Sequence, residues 1–183
     1  MHCKVIILFA FFSFHAVKAQ SFLKVDTAVY LEWNEERRLT WEDYEVRKNP
    51  SSQSGSLALT TVFHSIRGGM KNGRPNFQVR VLYVKDKSWT TDDTNSRLLG
   101  HERLHFDLAE LYGRKIRKQI DILGRREVSE LKVYKANIDA LLNEFKRKSL
   151  NYDKETEHGR ILLEQEKWSK LVNIELIRLE KYK

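Results

Sequence analysis

Residues 98–111 read Leu-Leu-Gly-His-Glu-Arg-Leu-His-Phe-Asp-Leu-Ala-Glu-Leu, an apolar run at helical period with His-Glu-x-x-His at its centre. At 3.6 residues per turn, His101 and His105 project from adjacent turns of one face, so both rings can converge on a single ion. Leu98, Leu108, Ala109 and Tyr112 share that face, which makes it a stripe for burial. Buried imidazoles need partners, and zinc accepts two of them readily. Glu102 follows His101 by one residue, which swings its carboxylate to the side of the ion. There it suits a general base taking a proton from water activated by the metal.

Charge and punctuation around the run fit a long helix from Arg97 to Leu123. Ser96 serves as N-cap with Asp92 and Asp93 upstream, Arg114, Lys115, Arg117 and Lys118 gather towards the far end, and Gly124 is the stop. Gly113 weakens this helix mildly. Val128, Leu131, Tyr134, Ile138, Leu141, Leu142 and Phe145 recur at helical spacing and predict a second amphipathic helix over Arg125–Lys148. Residues 149–153 break that pattern, and a third helix is expected from Thr156 onward.

Before the motif the period changes to two. Leu57–Ile66 and Phe77–Asp86 are rich in β-branched and aromatic residues, and the glycines of residues 67–75 supply a turn, which predicts an antiparallel hairpin. Phe77, Val79, Val81 and Tyr83 share one face of its second strand. Leu39–Tyr44 has the look of a strand entering a turn, and Asn49–Ser56 of a polar loop. The expected fold is α+β: a small antiparallel β-sheet, then the active-site helix, then a helical C-terminal half. A strand edge beside the metal helix would let an extended peptide add by backbone pairing.

A catalytic zinc usually has three protein ligands and one open position. Of six histidines, His2 and His15 lie in the N-terminal apolar stretch, so His64, His101, His105 and His158 remain. His158, beside Gly159 in the acidic segment Tyr152–Gly159, is the expected third ligand. Asp153, Glu155 and Glu157 are its chemical rivals. Asp107 and Glu110 rotate away from the histidine face and suit outer-shell or salt-bridge roles. His64 reads as a surface or hydrogen-bonded strand histidine, and Tyr152 or Tyr112 could steady an oxyanion.

Residues 1–19 have the form of a secretory signal peptide, with Lys4, an apolar run from Val5 to Phe14, and cleavage after Ala19. Residues 20–183 are then a single domain, secreted or periplasmic. Its one cysteine, Cys3, is lost with the leader, so the product has no disulfide. Loss of Lys4 and Lys18 lowers the formal charge from +8 to +6. Bases and acids are interleaved, with no basic arm and no phosphate-binding glycine loop, so nucleic acid is not an expected partner. No later segment has the roughly 20 apolar residues of a stable membrane span.

Leu98–Tyr112 and Tyr152–Gly159, with Gln165 and Trp168, resemble blocks of a bacterial domain family of unknown function whose members are described as secreted zinc-dependent proteases. Leu39–Tyr44 and Ser88-Trp89 are similar to its earlier blocks. The resemblance implies a zincin-like metallopeptidase acting on a peptide or protein substrate, with Zn2+ on His101 and His105 and Glu102 as base. Two other readings keep the same residues: a non-catalytic, zinc-stabilised envelope binding protein, and a zinc hydrolase acting on a non-protein amide.

Overall fold

The computed structural model of the chain describes residues 26–47 and 57–183. The expected leader and the polar loop at residues 49–56 lie outside these. The described residues form an α+β fold in which a small, mostly antiparallel β layer precedes three helices. Strands β1 (Tyr30–Glu32), β4 (Val62–Lys71) and β5 (Arg74–Val84) make one antiparallel sheet in the order β1-β5-β4. Three two-residue strands, β2 (Val46–Arg47), β3 (Ala58–Leu59) and β6 (Trp89–Thr90), make another with β6 at its centre. Helices α1 (Ser96–Arg125), α2 (Leu131–Thr156) and α3 (Leu162–Arg178) follow.

The hairpin of β4 and β5 is longer than its sequence pattern predicts, because its turn is only Asn72-Gly73. Both residues have positive φ, 52° and 73°, as a two-residue type I′ turn requires, and Lys71 pairs directly with Arg74. The glycines expected in the loop, Gly68 and Gly69, are inside β4. Residues 39–44 are not a strand. Asp43 accepts the Thr40 N–H (2.8 Å) and pairs with Arg37, so Trp41–Asp43 closes into a tight helical turn.

α1 is the spine of the molecule. Asn95, rather than Ser96, caps it, its side chain accepting the Leu98 N–H at 3.0 Å. At the other end the helix runs past Gly124 and stops where Glu127 turns left-handed, at φ 55°. Val128 N–H then reaches the Leu123 carbonyl and Glu127 N–H the Gly124 carbonyl, the paired bonds of a Schellman motif. From Leu104 to Arg114 the helix is buried all round, with β4 and β5 against one side and α2 and α3 against another. No helix among the described residues is long and apolar enough to cross a membrane.

Gly113, out of place by helix propensity, sits where α1 meets β5. A Cβ there would come within 2.6 Å of the buried Val81 Cγ2 and 3.2 Å of Glu110 Oε2. Gly113→Ala should therefore cost about 1–3 kcal/mol through overpacking, in spite of the roughly 1 kcal/mol that alanine gains in an open helix. Urea denaturation measures the difference, and a stabilised variant would mean that helix and sheet are not in such close contact.

α2 also outruns its pattern. Residues 149–153 continue the helix to Thr156 instead of breaking it, and α3 begins at Leu162 rather than Thr156. Between them Glu157, His158 and Gly159 are all left-handed, at φ 46°, 58° and 83°. The extra two turns of α2, residues 149–156, bring its polar residues against α1.

Candidate metal centre

The i, i+4 spacing of His101 and His105 on α1 meets the same spacing of Ser149 and Asp153 on α2. His101 Nε2 and His105 Nε2 lie 3.2 Å apart, and Asp153 Oδ1 lies 3.1 Å from the first and 2.9 Å from the second. All three residues are buried, the histidines at 0–1 % exposure and Asp153 at 3 %. Asp153 Oδ2 is buried too and has no hydrogen-bond partner.

The far side of each ring is also engaged. His101 Nδ1–H donates to Gln165 Oε1 (3.2 Å), which also accepts the Tyr152 hydroxyl (2.7 Å). His105 Nδ1 is hydrogen-bonded to Ser149 Oγ (3.1 Å). With both Nδ1 atoms protonated, both Nε2 atoms present lone pairs to the Asp153 carboxylate. Tyr152 stacks on His101 with ring centroids 4.5 Å apart, which fixes the plane of the ring. Gly159 also lies against His101, so closely that a Cβ would stand 2.9 Å from His101 Cβ.

Three acceptors facing one another in a dry site repel unless a cation sits among them. Burial disfavours charge on His105, yet the Asp153 carboxylate, its hydrogen bond and the nearby Glu102 charge outweigh this and hold the imidazole above its ordinary pKa. Burial likewise opposes ionisation of Asp153, but the two histidines hold its carboxyl well below the usual range. A tetrahedral zinc with bonds of about 2.0–2.1 Å keeps its donor atoms about 3.3–3.4 Å apart, close to the separations seen here. The residues fit the ion in donor chemistry and in spacing.

His158 joins the cluster beside Asp153 with its Nδ1 buried. Its Nδ1 is 3.5 Å from Asp153 Oδ1, its side chain is 22 % exposed, and its ring centroid is 6.4 Å from that of His101. His101, Asp153 and His158 each offer an atom within 4.8 Å of the others. Glu102 is buried on α1 next to these residues, at 1 % exposure. Of the rival carboxylates, Glu155 accepts the Trp168 indole N–H (2.8 Å) and Glu157 is exposed in the left-handed turn.

Other candidate residues have work elsewhere. Tyr112 donates its hydroxyl to Glu144 (2.8 Å), and Tyr152 also donates to the His101 carbonyl (3.2 Å), so both hydroxyls are committed within the fold. Asp107 accepts from the Trp33 indole (2.9 Å) and from Arg38, and Glu110 pairs with Arg114 and Arg117. His64 is buried in β4, donating Nε2–H to the Ala109 carbonyl (2.8 Å) and packing on Phe145. Burial pushes its pKa down to about 4, and it stays neutral at ordinary pH. Sequence reasoning missed the roles of Ser149 and Gln165. The signal for Ser149 was its place four residues before Asp153.

One family, described as "Bacterial protein of unknown function (DUF922)", matches residues 75–159. That span runs from β5 to the left-handed turn and includes His101, Glu102, His105, Asp153 and His158, while Gln165 lies beyond it. The family's description carries no activity. No curated protein and no solved structure matches the chain.

Proposed function

We propose that this chain is a zinc-dependent peptidase of the exported kind, its metal held by His101, His105 and the Asp153–His158 end of α2. One observation carries the reading: three buried acceptor atoms, two Nε2 and one Oδ1, converge within 3.2 Å of one another. When bound, zinc supplies Lewis acidity that polarises a carbonyl and lowers the pKa of water. The protein's own residues do the rest. Gln165, Tyr152 and Ser149 orient the two imidazoles and keep their Nε2 atoms unprotonated. Glu102 takes the proton of the attacking water at its carboxylate and returns it to the departing amine. Burial of the histidines excludes bulk water, which strengthens each electrostatic contact.

That same burial favours one second reading, a zinc-stabilised binding protein, since structural zinc sites are closed to solvent. Elemental analysis of the purified protein tests what both share. One zinc per chain, lost in His101→Ala, is the expected result. A chain free of metal after purification in zinc-containing buffer would overturn both readings. Turnover of a peptide separates them.

A further inference from the structure

We infer that the outer face of α3 docks the protein on the surface of a bilayer that carries anionic phospholipid. The inference is independent of the metal reading and holds for a peptidase and a binding protein alike.

A surface helix usually turns one apolar stripe to the core and a polar face to water. α3 is apolar on both sides. Its inner side puts Trp168, Val172 and Leu176 into the core. On its outer side Leu163, Leu171, Ile174 and Ile177 are 50–66 % exposed. Of the eight large hydrophobic residues exposed among the described residues, six lie between Ile161 and Ile177. The preceding helix, α2, is the internal comparison: its outward residues are mostly lysine, arginine and asparagine, and Leu150 is the one large apolar side chain exposed on it. Scattered apolar side chains need no explanation, but a group on one helix face marks a surface that another body covers.

The charges on that face select an anionic partner. At about 100° per residue, the arc within about 60° on either side of Ile174 holds the four aliphatic residues together with Lys167, Lys170 and Arg178, and it holds no acid. Glu164, Glu166 and Glu175 stand just outside it. Lys167 and Arg178 reach sideways to Glu164 (2.7 Å) and Glu175 (3.2 Å), and these exposed, water-screened pairs exchange readily for other anions. The chain as a whole, at a formal charge of +8, adds to the attraction. A second copy of the chain is the wrong occupant, because a two-fold axis sets the same face against itself and brings base against base. The face is also long and outward-curving, about 21 Å from Leu163 to Ile177, so a flat surface meets all of it.

Aliphatic side chains entering the headgroup layer, with lysine and arginine held among the lipid phosphates, are the two halves of interfacial binding. The methylene stems of the bases lie along the apolar surface while their charged ends reach outward. Each base near an anionic surface strengthens binding about fivefold, so three give roughly 100-fold. The helix stays on the surface: its inner side remains in the core, and no helix among the described residues is long and apolar enough to cross a membrane. Gln165, which is bonded to His101, lies about 180° around α3 from Ile174, so docking leaves the histidine cluster on the side away from the lipid.

The test is co-sedimentation of the purified full chain with vesicles of phosphatidylcholine alone and of phosphatidylcholine with about one-third phosphatidylglycerol. The native chain should bind the anionic vesicles about tenfold or more above the neutral ones, and less tightly as salt is raised. Lys167→Gln, Lys170→Gln and Arg178→Gln together should weaken that binding by about 30- to 100-fold. Leu163→Ser, Ile174→Ser and Ile177→Ser together should weaken it by about tenfold or more. Lys132→Gln, Lys135→Gln and Lys146→Gln remove the same charge from exposed positions of α2 and should change it by no more than about threefold. Every substituted side chain is exposed, so the variants should melt near the native temperature, and Ile177→Ser alone carries the test, with a smaller loss, if the triple serine variant does not fold. A native chain that ignores anionic vesicles or binds both kinds equally would overturn the docking face. So would binding that survives both α3 variants, or an equal loss in the α2 variant. A native dimer in sedimentation velocity that Ile174→Ser and Ile177→Ser dissociate would give the face to a second copy and overturn it as well.

Discussion

Glutamine in place of Glu102 is expected to leave one zinc on the chain and to cut peptide hydrolysis by about 10²–10⁴. The side chain is buried on α1, one residue beyond His101, and glutamine reproduces its volume without its basicity. The lost interaction belongs to the transition state, so kcat should fall and KM should stay near its native value. Steady-state kinetics beside elemental analysis reads both quantities. Undiminished turnover would move the base to another residue, and loss of zinc would make Glu102 part of the metal's support. A native chain without turnover, whose biological effect survives the substitution, would be the binding protein instead.

The parts of the fold that could be read in advance are those where periodicity and burial coincide. α1 is such a case: its apolar positions, its polar start and its basic end all agree, and its boundaries were expected within two residues. The reading failed where residues serve the site. Ser149, Asn151 and Asp153 look like a helix break because they are polar, yet Ser149 and Asp153 are polar because they face His105 and His101. The apolar register continued through them, since Phe145 and Tyr152 on α2 both pack in the core. Extending α2 by that register would have lifted Asp153 above Glu155 and Glu157 among the carboxylates. Gly113 was opaque for a different reason: its cause is Val81, thirty-two residues earlier, and helix propensity has no view of it. Gln165 had a place in the family resemblance without a role, which only the position of α3 supplies.

Arg114→Met should destabilise the protein by about 3–5 kcal/mol, a large share of the 5–15 kcal/mol typical of a domain. The guanidinium is 1 % exposed in the middle of α1, and it binds the Glu110 carboxylate (3.1 Å), the Leu176 carbonyl (2.6 Å) and Glu180 (2.8 Å). It also lies 5.2 Å over the Trp33 ring, so one side chain joins α1 to the end of α3 and to the segment after β1. Methionine fills the same slot and abandons the Leu176 carbonyl and half of the partnership around Glu110. Arg117, 2.9 Å from Glu110, keeps that carboxylate from being stranded. Because Arg114 and Glu110 are in direct contact, Arg114→Met and Glu110→Gln should not add, giving a coupling of about 1–3 kcal/mol in a double-mutant cycle read by urea denaturation. A loss below about 1 kcal/mol for Arg114→Met would mean that water replaces these bonds and that the end of α3 is not anchored through them. Zinc affinity should move little in the same variant, because Gln165, which orients His101, is at the opposite end of α3 from Leu176. Stability and the proposed metal binding are in this way assigned to two separate polar networks on one helix, the Glu110–Arg114 cluster and the histidine pair.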